Sequence, residues 1–365
     1  MEIFLKDIKS VSSLGYGEQS MEAYRNLEHA HTFDQGRWMA PVQVAPPDFK
    51  EKYLQQSDIT SKWAVRLAAD LKVADCDGVF MASSRGATRL WEEEHKTFLA
   101  TGEVHTLCSP HTTLGNIAST VAQYLGVDGP NLSFSNACSS FSQGLIQGSV
   151  WIKSGMAKSI LVGASEFACS NFTQAQIKAL KIATRHGPEV AYPNEAFHLN
   201  KTGNTLTLGE GAVVAQLVSE ATEIKVAGIG YGLELIRNPT SVNDQGTGFQ
   251  KAMLMALGQA GVASPDVIIA HAPGTIKGDQ AEHQAILAVF GKNHPLSFSN
   301  KWKVGHTYGA SSGLSLALGA WMLHNQTFAC SPFTHGKEPK QLRNILINAM
   351  GFGGNVTSIL LQYQG

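Results

Sequence analysis

Five cysteines and thirteen histidines give this 365-residue chain many nucleophiles and bases, so position has to select among them. Cys138 is set apart by its surroundings. LSFSNACSS reads as a strand that stops at the cysteine. FSQGLIQGSVWIKSG then places Phe141, Leu145, Gly148 and Ile152 at helical spacing, with Gly155 as a C-terminal cap. A sulfur on such a turn has a helix N-terminus beneath it, which favours the thiolate and offers backbone N–H groups to an oxyanion. A buried structural thiol suits the same position. Cys76, Cys108, Cys169 and Cys330 have no comparable setting and are read as structural. His271 closes the apolar strand PDVIIAH, where its imidazole reaches the carboxyl edge of a sheet; a satisfied core histidine is the plain alternative. His306 lies in a loop five residues after Lys301 and just before an apolar helix. Composition alone does not choose two histidines among the thirteen.

The elements around these residues alternate between short apolar runs and helical patterns, the mark of an α/β fold. DGVFMASS predicts a strand running into a turn, LGNIASTVAQYLGV a helix ended by glycine, and KSILVGASE a buried strand. Later, KVAGIGYGLE reads as a strand, GFQKAMLMALGQAG and DQAEHQAILAVFG as helices, and NKWKVGHTYG as a polar loop leading into the helix ASSGLSLALGAWMLHN. GNTLTLGEGAVVAQLV and NILINAMGFGGNVTSILLQY both read as strand, glycine-rich turn, strand. Their likeness predicts two similar halves, 1–220 and 221–365. The turns at 209–212 and 351–355 lack phosphate-loop spacing and read as β-turns on their own.

With 28 basic and 29 acidic side chains, no overall field draws the chain to nucleic acid or to an anionic membrane. Unpaired cysteine spacing gives neither a disulfide framework nor a zinc site, so no metal is expected. The polar start MEIFLKDIKSVSSLG and the lack of a long apolar run predict no membrane span and a cytoplasmic protein.

Taken together and in order, the motifs resemble those of the β-ketoacyl synthase family of condensing enzymes, in its stand-alone form. NACSS at 136–140 is similar to the family's TACSS nucleophile motif. HAPGTIKGDQAE at 271–282 resembles HGTGTxxGDxxE, KWKVGHTYGASSG at 301–313 resembles KxxxGHxxGAAG, and NAMGFGGN at 348–355 resembles NSFGFGGTN. GEGA at 209–212 fits the family's mid-chain turn. Asn136, Ala272, Pro273 and Met350 depart from these patterns without removing a catalytic group.

The resemblance implies a thiolase-like fold with two α/β halves in a five-layer αβαβα arrangement. It implies a 3-oxoacyl-acyl carrier protein synthase, an acyltransferase that joins an acyl thioester to a malonyl-type thioester with loss of carbon dioxide in fatty acid, polyketide or polyene biosynthesis. Cys138 takes the nucleophile's place, and His271, His306, Lys301 and Glu282 are the other catalytic groups, with Lys301 near Glu282 and Asp279 in phase. Phe352 gates the site and completes an oxyanion hole with the Cys138 backbone; Thr275, Gly353 and Met350 bind substrate. No cofactor is needed, because the phosphopantetheine belongs to the partner acyl carrier protein. That partner is acidic, and Lys62, Arg66 and Lys72, or Lys178, Lys181 and Arg185, are candidates for its dock. A homodimer, or a heterodimer with another ketosynthase-like subunit, is implied as well. The alternatives are a non-condensing partner of the chain-length-factor kind and a related acyltransferase. A biosynthetic thiolase is disfavoured because Gly351–Gly354 holds no second cysteine.

Overall fold

A computed structural model describes residues 1–235, 243–334 and 336–365. The first part of the chain forms β1 (Phe4–Ser12), α1 (Ile59–Asp70), β2 (Gly78–Ala82), α2 (Asn116–Leu125), β3 (Asn131–Phe134), α3 (Ser140–Lys153), β4 (Ser159–Glu166) and β5 (Gly211–Val218). The second forms β6 (Ile224–Leu233), α4 (Thr247–Ala260), β7 (Val267–Ile269), α5 (Ile276–Phe290), β8 (Leu296–Phe298), α6 (Ser311–Asn325), β9 (Asn344–Met350) and β10 (Asn355–Tyr363). Strands lie in the order β1-β5-β4-β2-β3 and β6-β10-β9-β7-β8. In each group the last three run parallel and the other two antiparallel. The two groups are joined edge to edge where β1 and β6 pair, at Phe4 with Lys225 and Leu5 with Ile224.

Burial sorts the helices into layers. In α6 every residue from Ser311 to Leu323 is buried, and a helix with no solvent face has to lie inside. It packs with α3 between the two strand groups, where Phe80, Phe141, Leu145, Val213, Leu314, Leu318 and Ile347 form the central core. The half-buried stripes of α1 and α2 cover one outer face over Trp63, Leu67, Val121 and Leu161; α4 and α5 cover the other over Phe249, Met253, Ile268 and Leu346. These are the five layers the resemblance implies.

Two local expectations need correction. Leu208–Gly209 is a two-residue strand pairing in parallel with Arg37–Ala40, so GNTLTLGEGAVVAQLV is not a hairpin. The hairpin is β9 and β10, with Asn348 opposite Ser358. Similar glycine turns therefore stand in dissimilar places, and the repeat resides in strand order instead. NKWKVGHTYG is not all loop: Lys301–Val304 makes a short helix and Tyr308–Ala310 a single tight turn.

The central layer depends on one close approach. A Cβ on Gly313 of α6 would overlap Val213 Cγ1 and sit 2.8 Å from Phe141 Cδ2. Gly313→Ala is predicted to destabilise the fold by about 1–3 kcal/mol, the usual range for overpacking, measured by urea unfolding monitored by tryptophan fluorescence.

Candidate active site

Parallel strands end on one side, and loops leaving those carboxyl ends converge. Cys138 follows β3, His271 follows β7, Lys301 and His306 follow β8, and Gly351–Gly354 follows β9. Cys138, His271, His306, Thr275, Met350, Phe352 and Gly353 all line one cavity of about 260 Å³. Its other walls include Ile177, Leu180, Leu206, Leu208 and Phe249, so most of the lining is apolar.

The turn carrying Cys138 is held from both sides. Ala137 has φ +49°, a left-handed conformation that a non-glycine residue adopts only under constraint. Ser139 and Ser140 donate backbone N–H bonds to Asn136 and Ala137, and the Ser140 hydroxyl accepts from Asn136 N at 2.8 Å. Gly351 lies so close that a Cβ there would sit 2.5 Å from Asn136 O, and Asn355 Nδ2 donates to Asn136 Oδ1 at 3.4 Å. The turn at 351–354 is thereby fixed beside the sulfur, and the backbone N–H groups of Phe352 and Cys138 both favour the anionic sulfur. The Phe352 side chain is 46% exposed.

Burial overrides the helix N-terminus. It pushes the Cys138 thiol up to about 12, against the opposing pull of Lys301, so the expected resting thiolate gives way to a thiol. The neutral state of both histidines follows from the same dry setting. Burial, with Lys301 nearby, holds His306 down at about 3 and His271 well below the usual imidazole value. Their rings meet edge to face at 5.8 Å. His306 Nδ1 accepts the Tyr308 backbone N–H at 3.0 Å, so the neutral ring carries its proton on Nε2 and can donate it. His306 is also laced to the mid-chain turn: its N–H donates to Thr207 O at 2.8 Å, and its carbonyl accepts from Gly209 N.

Lys301 and Glu282 act on the backbone of His271 from opposite sides. The Lys301 ammonium donates to the His271 carbonyl at 2.5 Å. The Glu282 carboxylate accepts N–H bonds from His271 at 2.9 Å and Ala272 at 2.8 Å, and from Asn348 Nδ2 at 3.0 Å. Among the described residues these two charges make no direct ion pair; Glu282 acts on Lys301 through space, raising it. Burial lowers Lys301 to about 8, with Glu282 pulling the other way.

Three supports escaped the sequence reading. The buried Lys201 pairs at 2.6 Å with Asp279, which also accepts from Phe197 N and Gly274 N, tying a loop of the first half under the His271 loop. Asn348 supports Glu282 and accepts from the Ser358 hydroxyl. Glu166, at the end of β4, accepts from Ser83 Oγ, Ser84 N, Ser84 Oγ, Arg85 N and Gly309 N. Only a carboxylate ending an apolar strand, SILVGASE, hinted at the last.

A thiol, two neutral imidazoles and paired backbone N–H groups thus meet around one largely apolar cavity, a set chemically able to form and break a thioester. Two family models match the chain, the β-ketoacyl synthase N-terminal domain over residues 56–222 and the C-terminal domain over 225–334. The chain belongs to the β-ketoacyl synthase family, whose members are acyltransferase-type condensing enzymes. It is 25% identical to the chloroplastic 3-oxoacyl-[acyl-carrier-protein] synthase II of Arabidopsis thaliana over 78% of this chain and 57% of that protein, and so spans just over half the relative's length. A β-ketoacyl synthase from Burkholderia phymatum superposes with a TM-score of 0.87 at 22% identity, covering all of both chains. A ketosynthase solved with its chain length factor from Xenorhabdus doucetiae gives 0.83 at 21% identity, over 99% of this chain and 98% of that one. The fold is therefore thiolase-like.

Because Lys301 is depressed, its charge is present below about pH 8 and lost above. The two histidines stay neutral throughout the range from 5 to 7. Turnover at this site is predicted to be flat between pH 5 and 7, with no inflection near 6.5, and to fall as pH rises through 8. Its pH–rate profile checks this. Lys201→Met, which strands the buried Asp279 carboxylate, is predicted to cost about 3–5 kcal/mol in urea unfolding at pH 7.

Proposed function

We propose that the chain is a β-ketoacyl-acyl carrier protein synthase using Cys138 as its acyl carrier. The observation that carries this reading is the convergence of Cys138, His271 and His306 on one apolar cavity, with the Phe352 and Cys138 N–H groups beside the sulfur. The Cys138 sulfur attacks the acyl thioester carbonyl, a new carbon–sulfur bond forms, and the carrier's thiol leaves with the Cys138 proton. A malonyl-type thioester then takes the place beside the histidines. Its bond to the carboxylate breaks, carbon dioxide departs, and the electron pair moves into an enolate whose oxygen receives hydrogen bonds from His306 Nε2–H and from His271. The carbanion attacks the acyl-Cys138 carbonyl. The resulting oxyanion is held by the N–H groups of Phe352 and Cys138, each worth about 3–4 kcal/mol. That attack forms the carbon–carbon bond; collapse of the tetrahedral oxyanion breaks the carbon–sulfur bond and releases the Cys138 sulfur, which takes up a proton.

Lys301 and Glu282 hold His271 in place and set the field. Thr275 caps α5 by accepting from Gly278 N, so its part in substrate binding is through shape and backbone, together with Met350 and Gly353. The proposed halves divide at Glu220, between β5 and β6. The proposed setting is the cytoplasm; among the described residues no helix is long and apolar enough to cross a membrane. The outer edge of β3 pairs with nothing among the described residues, which supports assembly with a second copy or a related subunit.

Of the two basic groups, Lys178, Lys181 and Arg185 is the proposed carrier dock. All three are exposed, and Ile177, Leu180 and Ile182 between them line the cavity. Arg66 is paired with Asp70 and stacks over Tyr16.

Incubation with acyl carrier thioesters followed by intact-mass measurement is predicted to give an acyl adduct on the wild type and none on Cys138→Ala. Absence of any adduct across chain lengths would favour the non-condensing partner. Lys178→Glu with Lys181→Glu is predicted to weaken carrier binding about tenfold at low salt and less at high salt; unchanged affinity excludes that cluster.

A further inference from the structure

Cys138 also borders a second cavity, of about 590 Å³, that shares Cys138, Ile177, Leu180, Tyr308 and Phe352 with the first but is not lined by His271 or His306. With the extender beside the histidines, as proposed above, this second space is open to the acyl group on Cys138. Part of its wall is apolar, from Ala137, Ile177, Ala179 and Leu180, but the wall also carries Arg85 and Tyr308. An alkyl chain needs neither.

The guanidinium of Arg85 is half-buried and lies 5.3 Å over the Tyr308 ring, with one Nη donating to Gln176 Oε1. Among the described residues it has no carboxylate partner. Glu166 takes only the backbone N–H of Arg85, and its two oxygens already receive five donors. Arg85 Nε and Tyr308 Oη are both buried without a hydrogen-bond partner. Buried donors without acceptors are costly, and an uncompensated cation more so. Two such donors stacked on each other beside the acyl-carrying sulfur describe a place for an oxygen.

We propose that Arg85 and Tyr308 form a subsite that selects acyl chains bearing an acceptor oxygen, as a ketone or a carboxylate, over plain alkyl chains. A site built to hydrogen-bond such an oxygen rejects the analogue lacking it, because its own donors stay unpaired. The proposal rests on the synthase reading and on Cys138 as the loaded residue.

The test compares three thioesters of matched length on a simple thiol carrier, N-acetylcysteamine: hexanoyl, 5-oxohexanoyl and adipoyl. Second-order rates of Cys138 acylation are read by intact mass. The wild type is expected to load at least one oxygen-bearing chain about tenfold or more faster than hexanoyl. Arg85→Met is expected to cut that ratio by about 10- to 100-fold, and Tyr308→Phe by a smaller factor. A ketone advantage points to a neutral acceptor and an adipoyl advantage to a charged one. A purely structural Arg85 would lower all three rates together and leave the ratio unmoved, which overturns the assignment. So does a wild type that loads hexanoyl as fast as both others, a result needing no variant. Loading of hexanoyl alone sinks the subsite and leaves the synthase standing, whereas no adduct from any thioester sinks both.

Discussion

The site depends on how two buried charges are spent on the backbone of one residue. Lys301 holds the carbonyl of His271 and Glu282 holds its amide, so neither charge meets the other directly and both are satisfied by peptide groups. An ammonium and a carboxylate removed from water are tolerable only with such partners. The arrangement fixes the backbone of His271 and leaves a positive potential beside its ring. Burial keeps both imidazoles neutral, that potential adds to it, and the same potential pulls against the desolvation of Cys138.

Dryness is the second theme. In water Cys138 would titrate as an ordinary thiol and the histidines would straddle neutrality. In this cavity the neutral form of each wins. In the proposed reaction, acylation therefore needs the arriving thioester to help move the thiol proton, while enolate stabilisation begins from donors already in the right state. The helix beneath Cys138 does not decide the resting ionisation; its turn contributes backbone N–H groups that face the charge when it develops.

Much of this was readable from the chain. Buried runs such as SILVGASE and VIIAH marked strands, glycines at 126 and 155 marked helix ends, and ordered motifs placed Cys138, His271, His306 and Lys301. Pairings made only by tertiary contact were not. Lys201 and Asp279 are 78 residues apart, and Arg85 is 91 from Gln176; nothing local in either segment signals the other. The false hairpin at 203–218 had the opposite cause. Its glycine turn is local and genuine in kind, yet the short strand before it finds a partner at Arg37–Ala40 instead of its neighbour.

Among the described residues β1 and β6 pair at only two positions, Phe4 with Lys225 and Leu5 with Ile224. The nucleophile belongs to one group and both histidines to the other. Their separation is therefore a property of the interlayer thickness, set by how deeply α3 and α6 interlock at Gly313. The spacing of sulfur and imidazole in this chain is a dimension of the core: a methyl group added on α6 against Phe141, outside the cavity lining, can widen that gap while every side chain of the site remains unchanged.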